Sequence, residues 1–134
     1  MVYDRVKHLE MLQPVISRMA SNSFALKGWS VTLTAALLGL AAHGSNPGFA
    51  IVAFYPALAF WGLDAYYLRQ ERRFRALYDA VRTNADVQAF CMNPEGLDRD
   101  VHTWGRTLGA SVVIGIHLPI LAAIVGVLVY TLLN

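Results

Sequence analysis

A single cysteine, Cys91, stands in 134 residues, so the chain can form no internal disulfide and no thiolate metal cluster. Charge is scarce as well. It makes up 15% of the residues and is missing altogether from 29–63 and from 107–134. All eleven lysines and arginines and all nine aspartates and glutamates crowd into 1–28 and 64–106. A formal net charge of +2 is too small to argue for nucleic-acid binding, and none is expected. None of the ten glycines belongs to a phosphate-cradling loop. His8 and His102 lack partner spacing for a metal site, and the serines, threonines and Cys91 stand without a base at motif spacing. No catalytic constellation, metal or cofactor is expected. The first residues, MVYDRVKHLEMLQP, carry no apolar core of signal-peptide type, so no cleaved export signal is expected.

What is present is hydrophobic. Apolar residues make up 56% of the chain and the mean hydropathy is +0.43. These values, with the two uncharged stretches, predict an all-α membrane protein organised as a single domain. Residues 1–25 place Val2, Val6, Leu9, Leu12, Ile16 and Met19 at steps of three and four, one apolar stripe of an amphipathic helix. That stripe fits packing on the protein's own cytosolic part, or lying on the membrane surface. Pro14 should kink it or start a second helix, and Ser21-Asn22-Ser23 reads as a break and cap. The first span is expected over 26–43, with Lys27 snorkelling to the headgroups. His43 to Gly48 is turn chemistry, and the second span follows at 49–66, making an antiparallel hairpin. No glycine or proline falls between Gly62 and Arg82, so the second span should continue as one long cytosolic helix. The segment 67–106 is expected to be cytosolic and helical, with short helices at Ala85–Met92 and Leu97–Arg106. The third span is expected over 107–133.

Lysines and arginines lie only before the first span or between the second and third, so the positive-inside rule places the N-terminus in the cytoplasm and the C-terminus outside. Trp29, Trp61 and Trp104, with Tyr66 and Tyr67, fall at the same expected interface and read as an aromatic belt. Lys27 and Asp64 should meet at that level as an ion pair, and a proton- or cation-handling Asp64 is the functional alternative. His117, in the third span, is expected either to bond to a neighbouring helix or to line a conduction path. Arg69, Arg72, Arg73 and Arg75 form a basic run beside the membrane. It suits anionic headgroups, a cytosolic protein partner, or an anion such as a nucleotide messenger.

Two blocks, KHLEMLQPVISRMASNSFALKGWSVTL (Lys7 to Leu33) and FYPALAFWGLDAYYLRQERRFRALYDAVR (Phe54 to Arg82), resemble a family of short bacterial inner-membrane proteins. In outline that architecture is similar to the small helical membrane effectors of antiviral defence known as the SLATT type. The third span is an addition to their simplest two-span pattern. The resemblance implies a location in the bacterial inner membrane, a homo-oligomer, and a pore-forming or membrane-disrupting activity controlled through cytosolic helices. A non-conducting scaffold or accessory subunit is the alternative expectation, and a messenger sensor a third.

Overall fold

The structure, a computed structural model, describes residues 3–97 and 101–134. Every regular element among them is a helix: α1 (Arg5–Gly44), α2 (Pro47–Arg82), α3 (Trp104–Leu108) and α4 (Ser111–Leu133). At 1.5 Å per residue, α1 and α2 run about 60 and 54 Å, roughly twice the hydrocarbon thickness of a bilayer. Three helices, α1, α2 and α4, are long and apolar enough to cross a membrane. The chain is thus an all-α, three-span protein in which the helix of the second span runs on past the apolar layer.

Local chemistry explains the ends. Asp4 caps α1 by accepting from the Lys7 N–H at 3.2 Å. Ser45, in the left-handed region at φ 45°, turns the chain. Asn46 caps α2 by accepting from the Gly48 N–H at 2.9 Å, with Pro47 in the first helical position. The hairpin turn is therefore two residues, tighter than the six expected from the sequence. α2 closes with Asn84 at φ 63° and the Ala85 N–H donating to the Ala80 carbonyl at 3.0 Å, a Schellman closure. Asn84→Val should cost about 1–2 kcal/mol because a β-branched residue resists that conformation. Asn84→Gly should be at least as stable as wild type. Thermal unfolding in detergent, followed by circular dichroism, separates the two.

Further expectations are corrected. Ser21-Asn22-Ser23 does not break the chain; α1 passes through it without interruption. Nor does Pro14 start a new helix, since it lies inside α1. Pro14 and Glu10, whose carbonyl it deprives of a partner, are both exposed, so water can satisfy that oxygen. Finally, Ala85–Met92 forms turns rather than a helix. Phe90 there sits at φ 56°, its ring edge-on to Tyr3 at 5.4 Å and tilted against His8 at 5.9 Å. Of the helix expected over Leu97–Arg106, residues 98–100 lie outside the described residues, and only Trp104 onward is helical. The third span begins at Ser111 rather than at 107, after a break at Gly109-Ala110.

The interior is three apolar layers along one antiparallel hairpin. At the charged end, Leu12 of α1 packs on Leu77 and Val81 of α2, flanked by Leu9, Phe74 and Tyr78, with Val87, Met92 and Leu97 of the connecting segment laid over them. The apolar stripe of the first 25 residues is therefore covered by the protein itself, although Val6 stays exposed and Val2 lies outside the described residues. This supports packing on α2 over a helix lying on lipid. A second layer joins Ala65, Leu68 and Val113, and a third, near the turn, joins Ala53, Ala57, Ile120 and Ile124. Small alanines on α2 let α4 approach closely where packing has to replace the hydrophobic effect.

Candidate functional site

Between the second and third layers the bundle buries charge. Asp64 of α2 is fully buried, and its carboxylate is shared by the other two spans. Oδ1 accepts from Lys27 Nζ of α1 at 2.7 Å and from the Ser23 hydroxyl, also of α1. Oδ2 accepts from His117 Nε2 of α4 at 2.9 Å. Lys27 Nζ also donates to Ser23 Oγ at 3.0 Å. The His117 ring lies parallel to the Trp61 indole, with centroids 6.1 Å apart. One carboxylate thus fastens all three spans.

Helical spacing explains how the sequence delivers these groups. Ser23, Lys27, Ser30 and Thr34 follow one another by four, three and four residues, so they share the face of α1 turned toward α2 and α4. Of these, Ser23, Ser30 and Thr34 are buried and the Lys27 side chain is only 14% exposed. Lys27 therefore does not snorkel outward; a carboxylate reached from the inside outcompetes the headgroups. Depth follows from helix rise. Lys27 lies about 25 Å from the α1 end at Gly44, Asp64 about 25 Å from Pro47, and His117 about 24 Å from Leu133. Set against a hydrocarbon layer of roughly 30 Å, these lengths bring the cluster close to the charged end of the apolar spans, the level at which the sequence places the Lys27–Asp64 pair.

The charges explain why the cluster is tolerated there. Lys27 and Asp64 cancel, and the ionised carboxylate takes three donors, which is what a buried ion pair needs to offset desolvation. Because a carboxylate only accepts, His117 carries its proton on Nε2. The same pattern shows what the cluster is not set up to do. The Ser23 hydroxyl donates to Asp64 rather than to an imidazole, and the Lys27 ammonium, held by Asp64, has no lone pair to act as a base. Among the described residues no three His, Cys, Asp or Glu side chains are grouped as metal ligands.

The aromatic residues divide. Trp29 (62% exposed) and Tyr66 (47%) face outward at this level, as a belt requires. Trp61 and Trp104 also tie the chain to itself. Trp61 Nε1 donates to the Leu108 carbonyl at 3.1 Å, and Trp104 Nε1 donates to the Gly62 carbonyl at 3.0 Å. This reciprocal clasp binds α2 to the segment that leads into α4. Tyr67 is half-buried, its ring edge-on to Tyr66.

The arginines do not converge. Arg69 Nε donates to the His102 carbonyl at 3.2 Å, Arg73 to Gln70 at 3.3 Å, and Arg75 to Glu71 at 2.7 Å. Arg72 is half-buried on the same helix. Arg75 also lines a cleft of about 520 Å³ between the charged halves of α1 and α2, along with Gln13, Ser17, Tyr78 and Asp79. Since Asp79 shares that cleft, its charge is mixed. The sequence reading missed the bond from Ser23 to Asp64, the Trp clasp, and the inward-facing Ser30 and Thr34. The last two were available in principle from the helical spacing with Lys27. The chain matches no protein family, no curated protein and no solved structure.

Proposed function

We propose that this protein is an oligomeric, membrane-permeabilising effector of the bacterial inner membrane, held closed at rest and controlled through its cytosolic hairpin, as in the defence effectors it resembles in outline. One observation carries the reading. The span surfaces that face outward are apolar, whereas the groups able to line an aqueous path, Ser23, Lys27, Ser30, Thr34, Asp64 and His117, are stored in the seam between helices. Three helices cannot enclose a water-filled path, so conduction needs several copies whose seams open toward a shared axis. The N-terminus is then cytoplasmic and the C-terminus outside, and α1 and α2 carry a displacement of the cytosolic hairpin into the seam. In potassium-loaded liposomes, Asp64→Asn, which weakens the seam, should leak at least tenfold faster than wild type, roughly 1.4 kcal/mol in barrier terms. Equal, background-level flux from both proteins, each verified as folded and inserted, would overturn the proposal.

A non-conducting scaffold is the second reading, favoured by the mixed-charge cleft beside Arg75, which suits a cytosolic protein partner. Reversal of Arg72 and Arg75 to glutamate separates the two. Loss of a bound partner with membrane permeability unchanged supports the scaffold.

A further inference from the structure

The helical hydroxyls in and beside the spans fall into two groups. Thr32, on the outward face of α1, donates to the Gly28 carbonyl at 2.9 Å, Thr107 to Thr103 at 2.9 Å, and Thr131 to Leu128 at 3.0 Å. Each satisfies itself on its own helix, the ordinary solution in a medium that offers no partner. Ser30 and Thr34 do not. Both are buried, 0% and 3% exposed, yet Ser30 Oγ and Thr34 Oγ1 have no hydrogen-bond partner among the described residues. His117 Nδ1, on the ring edge away from Asp64, is the one other buried side-chain polar atom left in that condition. Pro119 adds a fourth group, because it has no N–H to give the Gly115 carbonyl of α4. Gly115 and Thr34 line the same groove between α1 and α4.

Three unpartnered polar atoms on two facing helices are costly in a dry interior, at about 1–3 kcal/mol for each buried group left unsatisfied, while the freed carbonyl of Gly115 lies at the exposed groove beside them. Hydroxyls with a carbonyl within reach on their own helix leave it only for a better partner. We propose that the seam between α1 and α4 is a hydrated pocket, in which bound water bridges Ser30 Oγ, Thr34 Oγ1 and His117 Nδ1 and connects Asp64 to the middle of the membrane. Such a site has the two to four polar partners that a buried water needs. Toward the hairpin turn the pocket ends at the layer of Ala53, Ala57, Ile120 and Ile124.

Water at Nδ1 also gives His117 a use for both nitrogens. The titratable groups facing His117 are Lys27 from α1 and Asp64 from α2, with Trp61 stacked on the ring. The pocket stands on geometry alone and does not depend on whether the protein permeabilises membranes.

Solid-state NMR on the protein in non-leaking bilayers tests it, with water protons as the probe. Magnetisation should pass from water to the His117 ring several-fold faster than to Ile124 in the apolar layer. In Ser30→Ala/Thr34→Val the His117 rate should fall to that of Ile124 while the Asp64–His117 contact persists. If the double variant does not fold, the single variants carry the same comparison. A His117 as dry as Ile124 in the wild type overturns the pocket, and so does a rate unchanged by removing the hydroxyls. Because the bilayers are intact, either result is independent of any liposome leak.

Discussion

Asp64→Ala should be among the most damaging single substitutions in the chain, costing about 3–5 kcal/mol, because it strands the Lys27 ammonium and the His117 N–H in an apolar layer. The fully buried carboxylate, with three donors from two other helices, is what makes the loss so large. Lys27→Met added to Asp64→Ala should recover much of it, since the pair together has little net worth against a well-packed apolar replacement. The ordering wild type, double variant, single variant, measured by denaturation in mixed micelles, checks the argument. A single variant as stable as wild type would show that Lys27 reaches water without Asp64.

The second large effect lies where the sequence suggested a gap. Asn22→Pro should cost about 3 kcal/mol or more, because it removes a hydrogen bond and adds a clash in the middle of a continuous helix. Were α1 two helices joined at Ser21-Asn22-Ser23, proline there would be nearly harmless. The substitution should also loosen Ser23 and Lys27 from Asp64, visible as a loss of protection at the His117 ring N–H in hydrogen exchange. Asn22→Ala, a better helix former, should leave both readings at wild type or above.

These two sites show how far the sequence could be read. The spans were legible because charge is absent from them, and α2 was legible as one rod because nothing after Gly62 stops a helix. Ser21-Asn22-Ser23 misled because serine and asparagine cap helices when their oxygens turn back to their own backbone, whereas Ser23 turns sideways to Asp64. A local rule lost to a tertiary partner. The Lys27–Asp64 pair followed from the short turn expected at His43 to Gly48, which makes α1 and α2 an antiparallel hairpin. His117 could not be placed the same way. The connection from Arg82 to Ser111 is too long to fix which residue of α4 stands opposite Asp64, and the register is set by the Trp61 and Trp104 clasp. Ala85–Met92 lacks a continuous apolar face; Val87 and Met92 reach the core while the backbone turns under Phe90.

The pairing of Lys27 with Asp64 bears on how the chain is made. Synthesis delivers α1 before α2, and a lone ammonium within a span carries part of the about 2.5–3.5 kcal/mol that a charge costs at the span's centre. The acid that cancels it is 37 residues behind in the chain. The two-residue turn lets α2 fold back on α1 as soon as it emerges, so the favourable unit of insertion is the finished hairpin, with the ion pair closed before it meets lipid. α4 carries no such charge and can enter alone, bringing His117 to a site that is already neutral. The buried cluster that closes the mature bundle also sets the order in which its helices are assembled.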